Sequence, residues 1–253
     1  MHNLFLFPYE DRTHLPYVNA SFTSGQKRQV QLGVNRNLDV SVYARPELTE
    51  EQMNIIRIGL EQGLNMRPYV SKSITVPEYA LIISGLKNGY SFEPYLGRGF
   101  NELQLDIITA GLVEGFNVDL FAKPEYSGAK MECIYECLES GEDISFLDLD
   151  KFSAEQLKQI AKGCKSCVSI EVYANPKLSV NQMQIIRWCL EDGVEASAIT
   201  FAKPEYDEDQ MSVLCDALCD DIDISDLVKP ELTAFGMNLI YLDKLKVNKM
   251  KLV

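Results

Sequence analysis

Cysteine and histidine are the residue types in this chain that could bind a metal or carry out redox chemistry. The 253-residue chain has seven cysteines and two histidines. Both histidines, His2 and His14, precede residue 17, which excludes a histidine-based catalytic or zinc site in residues 17–253. Cys164 and Cys167 form the only C-x-x-C pair, whereas a four-cysteine zinc site needs two. We expect no metal and no cofactor. The favoured interpretation makes the cysteines small buried hydrophobes, and a redox or metal role is the alternative.

Catalytic patterns are absent from the sequence. The glycines are spread along the chain and form neither a G-x-G-x-x-G motif nor a P-loop. Carboxylates occur throughout the second half, so no single pair stands out as a general acid and base. We therefore expect a protein that is not an enzyme. An enzyme would need a concave pocket lined by carboxylates with perturbed pKa values.

Arginine and aromatic side chains at variable positions are the remaining candidates for chemistry, because these types dominate protein interfaces. We predict that they contact a protein or peptide partner; the alternative is that they flank the apolar stripe of a helix and belong partly to the core. The candidates are Arg57, Tyr135, Arg187, Trp188 and Tyr241.

An internal repeat must position these side chains. Residues 43–49 (YARPELT) return at 121–127 as FAKPEYS, at 173–179 as YANPKLS and at 201–207 as FAKPEYD. The period is 26 residues, except for one repeat of 28 residues between 173 and 201. Nine repeats result, the last one truncated. They begin at Tyr17, Tyr43, Tyr69, Tyr95, Phe121, Leu147, Tyr173, Phe201 and Leu227.

Equivalent positions of the repeats, here called columns, predict one helix in each. Column 7 contains only residues that cap helix N-termini, and a Gln or Glu follows three residues later in most repeats, which is the pattern of a capping box. Columns 11, 14 and 18 form an apolar stripe of helical period. Column 7 comprises Thr23, Thr49, Thr75, Asn101, Ser127, Ser153, Ser179, Asp207 and Thr233.

Two further columns describe how the helix packs and ends. Column 17 is mostly glycine, which predicts close approach by the backbone of a neighbouring element, because glycine within a helix costs about 1 kcal/mol. Column 21 supplies the left-handed residue after the helix, usually glycine. Cys167 and Asp221 occupy it in two repeats, so we expect less regular ends there. A short α or 3-10 turn should follow.

These patterns predict an all-α fold, an α-solenoid of nine repeats in one domain over residues 17–246. Residues 1–16 would form an N-terminal cap and residues 247–253 a basic tail. The two extra residues should lie within 194–200 and bulge outward or lengthen the short turn.

The repeat resembles two kinds of short helical repeat. Its architecture is similar to that of leucine-rich-repeat variant proteins, in which an α-helix alternates with a 3-10 turn. The phrase best seen at 43–63 also resembles tandem repeats in uncharacterised bacterial proteins. Neither resemblance implies an activity, a cofactor or functional residues.

Charge is distributed unevenly along the chain, whose net charge is −13. Residues 99–226 carry nine Lys or Arg against twenty-six Asp or Glu, whereas residues 1–98 have a net charge of +1. This argues against duplex nucleic acid as a partner of residues 99–226. A solvated acidic surface is the plain interpretation; an acidic face for a basic partner, or a mimic of DNA, is the sharper one. Nucleic acid would have to bind the N-terminal third through Arg57, Arg67 and Arg98.

Composition, the first residues and the cysteine count lead us to expect a cytoplasmic protein. Hydrophobic residues make up 46% of the chain and charged residues 24%, as in ordinary soluble proteins. No apolar stretch approaches eighteen residues, so we expect no contact with a membrane. The first residues lack the basic segment of a secretory signal, and the odd number of cysteines fits a reducing cytosol.

Overall fold

The computed structural model describes residues 21–251, which contain nine α-helices and no β-strand. This confirms the all-α repeat of one helix and a short turn. The helices are α1 Ser24–Asn35, α2 Glu50–Glu61, α3 Val76–Asn88, α4 Glu102–Glu114, α5 Gly128–Glu139, α6 Ala154–Lys165, α7 Val180–Glu191, α8 Glu208–Cys219 and α9 Ala234–Lys251. Short 3-10 turns lie at Val40–Val42, Arg67–Tyr69, Glu93–Tyr95, Val118–Leu120, Leu149–Lys151, Ile170–Val172 and Ala196–Ala198.

The chain divides into two compact units, the first ending at Val118 and the second beginning at Asp119. Helices α1–α4 of the first unit pack consecutively, and so do helices α5–α9 of the second, as in an α-solenoid. The predicted N-terminal cap at residues 1–16 lies outside the described residues, whereas α9 takes in residues 247–251 of the predicted tail. Within residues 21–251, no helix is both long enough and apolar enough to cross a membrane.

Capping boxes begin seven of the helices, as predicted. At α2 the Thr49 hydroxyl accepts a hydrogen bond of 3.1 Å from the Gln52 amide, and the Gln52 side chain accepts one of 2.9 Å from the Thr49 amide. Helix α5 keeps only the half made by Ser127, because Lys130 replaces the Gln. Each box satisfies amides at the helix start that would otherwise lack partners.

The helix ends are more uniform than expected. Column 21 has a positive φ in glycine and non-glycine repeats alike: φ is 53° at Cys167 and 55° at Asp221. The expectation of less regular ends at these two residues was therefore wrong. A hydrogen bond from the following residue stabilises the left-handed conformation: the Ile222 N–H donates to the Ala217 carbonyl at 2.8 Å.

The glycines of column 17 make room for a side chain rather than for backbone. Tyr43 is fully buried, and its hydroxyl donates a 3.0 Å hydrogen bond to the Gln29 carbonyl of the preceding helix. A Cβ atom added at Gly33 would overlap that hydroxyl oxygen. Gly163 and Tyr173 repeat the arrangement. In these two repeats the glycine admits the tyrosine that opens the next repeat, whereas Gly59 and Gly85 make room for Met66 and Phe92.

The capping glutamine also ties each helix to the next repeat. The side-chain NH₂ of Gln52 donates to the Lys72 and Ile74 carbonyls, at 3.2 and 2.7 Å. Gln26, Gln156 and Gln210 donate to the equivalent pairs of carbonyls. One buried amide therefore caps its own helix and fixes the position of the following loop.

The two extra residues of the long repeat follow its 3-10 turn. The turn at Ala196–Ala198 keeps the usual register, and Ile199 and Thr200 separate it from Phe201. Ile199 is buried and Thr200 is exposed. The insertion therefore adds one side chain to the core and only one to the surface.

Candidate functional site

Arg57 lies inside the first unit and not on its surface. Only 7% of the residue is exposed. Its Nε donates to the Gln29 side chain at 3.1 Å, one terminal nitrogen donates to Asn54 at 2.7 Å, and the other pairs with Glu61. Its guanidinium group therefore has little area left for a partner.

Arg187 has the same environment in the second unit, 130 positions further along the chain. It is 5% exposed; its Nε donates to Gln159 at 3.3 Å, and one terminal nitrogen contacts both Glu191 oxygens at 2.6 Å. In both copies the arginine joins consecutive helices, because its glutamine partner belongs to the preceding one. A signal was present in the sequence, since both arginines follow a Gln by 28 residues and precede a Glu by four.

Two predicted contact residues are tyrosines with intermediate exposure. Tyr135 lies on α5. Tyr241 lies on α9, and its hydroxyl donates a 2.5 Å hydrogen bond to Asp220. The pKa of Tyr241 is raised to about 12, mainly by that hydrogen bond and to a smaller extent by burial. Neither tyrosine lines the groove described next.

Trp188 is the predicted contact residue that stands out on the surface, with 50% of its area exposed. It lines a shallow groove of about 290 Å³ between α7 and α8. The Arg187 guanidinium carbon lies 5.8 Å from the indole centroid. The groove, called here the Trp188 groove, is lined by Asn181, Gln184, Ile185, Trp188, Glu208, Asp209 and Ser212.

The second wall of the Trp188 groove is acidic. Glu208 accepts hydrogen bonds from the Ser179 hydroxyl at 2.8 Å and the Asn181 amide at 3.0 Å, both neutral donors. Among the described residues, no Lys or Arg forms a salt bridge with Glu208 or Asp209. The two carboxylates were missed at the sequence level because they belong to the next helix and lie among many other acids.

A second groove, of about 510 Å³, lies beside the inserted residues. Carboxylates line it at the C-terminal ends of α7 and α8, where the helix dipoles are also negative. They belong to Asp192, Glu195, Asp221 and Asp223. Trp188 is not part of its lining, so the groove beside the insertion is not the groove that Trp188 lines.

Burial and contacts between thiols together determine the chemistry of the cysteines. Five of the seven are buried, and Cys167 and Cys219 are exposed. Burial, followed by nearby carboxylates, raises the pKa of Cys133 to about 11, and partial burial, followed by Cys189, raises the pKa of Cys219 to about 11. The thiols of Cys133 and Cys219 are therefore protonated at neutral pH and are poor nucleophiles. The described residues contain no group of three or more metal-ligating side chains placed to hold a metal ion.

The arginines considered for nucleic acid are engaged within the first unit. Arg57 is buried as described, and Arg67 pairs with Asp39. The guanidinium carbon of Arg98 lies 5.7 Å from the Phe100 ring centroid.

The last helix carries further exposed apolar side chains. Phe235, Leu239 and Leu242 are 73%, 51% and 40% exposed, and their i, i+4, i+7 spacing places them on one side of α9. Leu242 and Trp188 occupy the same column of their repeats, with Asp216 between them on α8. The exposed surface of α7, α8 and α9, called here the outer face, thus combines apolar and acidic side chains.

Comparisons with models of protein families, with curated proteins and with solved structures found no match for this chain. The geometry of its own residues is therefore what the function is argued from.

Proposed function

We propose that the protein is a non-enzymatic scaffold that binds a protein or peptide partner through the outer face of α7, α8 and α9. The observation that carries this proposal is Trp188, which is half exposed and lines a groove between α7 and α8. Contiguous exposed apolar side chains commonly mark interaction sites, and tryptophan is enriched among the residues that contribute most to binding energy.

The structure of a repeat protein favours this kind of function. Stacked repeats use their recurring columns for the core, which leaves the variable outer columns free to differ between repeats. In the second unit those columns hold Trp188, Phe235, Leu239 and Leu242. The resemblance to leucine-rich-repeat variant proteins remains a prediction and supplies no activity that would compete with this proposal.

A phage-displayed library of random peptides tests the proposal. Selection on the whole protein should enrich peptides, and these should bind Trp188→Ala at least about tenfold more weakly. The matched control is Phe146→Ala, which removes another aromatic side chain of the second unit that is 51% exposed. Failure to enrich any peptide, or equal affinity for both variants, would overturn the proposed function.

A further inference from the structure

We propose that the Trp188 groove binds the side chain of a lysine or arginine from a basic segment of the partner. Its ammonium or guanidinium group would lie between the indole ring and the carboxylates of Glu208 and Asp209. This inference rests on the proposed function and names the chemistry of the partner at that site.

The indole ring provides the first half of this site. An aromatic face attracts cations through its quadrupole, and tryptophan does so more strongly than phenylalanine or tyrosine. Arg187, which is buried and paired with Glu191, already lies beside the ring at 5.8 Å. It supports the ring from within the protein, while the exposed half of the indole lines the groove.

The facing carboxylates provide the second half. Glu208 is oriented by Ser179 and Asn181, which are neutral and leave its negative charge uncompensated. Asp209 is exposed beside it. Asp216 follows on the same helix, where burial and then the adjacent Asp220 raise its pKa.

Acidic residues in the first turn of a helix have a plain explanation, because they interact favourably with the helix dipole. Helix α2 shows that plain case: Glu50 accepts a hydrogen bond from Gln29, and α1 contains no aromatic residue. Between α7 and α8 the same position borders an exposed tryptophan. The combination of ring, groove and unpaired charge distinguishes this site.

Charge and volume select the occupant. The net charge of −17 in residues 99–226 repels anionic partners and attracts cationic ones over several ångströms. A groove of about 290 Å³ has room for one long side chain. Gln184 and Ser212 add neutral hydrogen-bonding groups to its lining.

Intrinsic fluorescence provides a direct measurement, because Trp188 is the only tryptophan in the chain. Oligo-lysine and oligo-arginine peptides should change its emission saturably, whereas length-matched peptides of acetyl-lysine or glutamate should not. The affinity should fall at least about tenfold when NaCl is raised from about 0.05 M to about 0.5 M, because screening weakens exposed charge pairs.

Matched variants separate the site from the general acidity of the second unit. Glu208→Gln with Asp209→Asn should reduce affinity about tenfold or more, whereas Glu171→Gln with Glu231→Gln, which removes two exposed carboxylates elsewhere in the second unit, should change it less than about twofold. Trp188→Leu should lose a similar factor in affinity, measured by the fluorescence anisotropy of a labelled oligo-lysine peptide. Trp188→Phe should recover part of that affinity.

Three results would overturn the inference. One is the absence of any saturable response to the cationic peptides. Another is an equal loss of peptide affinity in the two charge variants, which would show that the peptides bind a diffuse acidic surface. The third is selection from the phage library of neutral or acidic peptides that depend on Trp188; this would support the scaffold while refuting the cationic partner.

Discussion

At the scale of single residues, the tyrosine that opens the next repeat explains why glycine is required at two positions of column 17. Gly33 and Gly163 precede repeats that begin with tyrosine, whose hydroxyl needs the space. Ala217 precedes a repeat that begins with Leu227, which has no hydroxyl. The sequence indicated that a small residue was needed, but only the packed structure identifies the side chain that needs the space.

Gly163→Ala should destabilise the protein by about 1–2 kcal/mol, because overpacking costs about 1–3 kcal/mol and the better helix propensity of alanine offsets part of it. In a Tyr173→Phe background the same change should be nearly neutral, since the hydroxyl is gone. Urea unfolding of the single and double variants measures this coupling. Ala217→Gly, with no tyrosine opposite, should lose about 1 kcal/mol. If the effects of Gly163→Ala and Tyr173→Phe on the free energy of unfolding were additive in the double variant, the glycine would not be accommodating the tyrosine hydroxyl.

The buried tyrosines predict a loss of stability in alkali. Burial raises the pKa of Tyr43 to about 12 from its ordinary value of 10.0. In the unfolded chain this tyrosine ionises first, so its contribution is complete below pH 10 and falls as the pH rises towards 12. Urea unfolding across that window should show a shallower decline for Tyr43→Phe than for the natural chain. An unchanged slope would mean that Tyr43 ionises equally easily in both states.

At the scale of helices and turns, the predictable features are those determined within a few residues. N-caps, capping boxes and left-handed helix ends depend on neighbours three to five positions away, and the repeat displays them in columns. The second role of the capping glutamine was missed, because the carbonyls bound by Gln52 lie 20 and 22 positions further on. Partial burial of Arg57 and Arg187 was the stated alternative, but their hydrogen bonds to Gln29 and Gln159 were missed for the same reason, since these glutamines belong to the preceding repeats.

Gln52→Glu tests the second role of the capping side chain. The new carboxylate keeps the capping acceptor but places negative charge against the Lys72 and Ile74 carbonyls, so we expect a loss of about 2 kcal/mol at neutral pH. Acidification should reduce the loss, because a protonated carboxyl can donate one hydrogen bond. Thermal unfolding at two pH values measures both effects.

Glu78 provides the reciprocal control for this experiment. Its carboxylate accepts a 2.6 Å hydrogen bond from the Gly97 amide, so its loop offers a donor where the others offer carbonyls. Glu78→Gln should cost about 1 kcal/mol and show no such relief in acid. If both substitutions were neutral, the hydrogen bonds from these two side chains to the following loop would contribute nothing to stability.

The non-glycine residues with left-handed backbone predict simple stabilising changes. Asp221→Gly should add about 0.5–1 kcal/mol, because it relieves the left-handed conformation and removes an acidic group from a helix C-terminus. Asn37→Gly should gain less, since asparagine tolerates this conformation better. Differential scanning calorimetry of the two variants makes the comparison; a lower Tm for Asp221→Gly would show that its side chain stabilises the turn.

At the scale of the whole molecule, the two units share one construction but differ in charge. Each contains a buried cluster in which an arginine joins a glutamine of the preceding helix to a glutamate of its own, Arg57 in the first unit and Arg187 in the second. Of the proposed binding site, Trp188 could be predicted as a single unusual residue. Its facing acids could not, because nothing in the sequence distinguishes Glu208 and Asp209 from the other carboxylates around them.

This difference in charge predicts that salt stabilises the two units unequally. Raising NaCl from about 0.1 M to about 1 M shortens the screening length from about 10 Å to about 3 Å. Screening relieves repulsion within residues 119–253, whose net charge is −11, but has little to relieve in residues 1–118, whose net charge is −2. The buried arginine clusters occur once in each unit, so their own response to salt cancels in the comparison.

Hydrogen exchange of backbone amides, read helix by helix, should therefore slow more with salt in α5–α8 than in α1–α3. Sucrose, which stabilises compact states without screening charge, should slow exchange equally in both sets. An equal response to NaCl would show that the carboxylates of the second unit lie too far apart, or are too well solvated, to repel one another, and it would remove the electrostatic reason for expecting a basic partner.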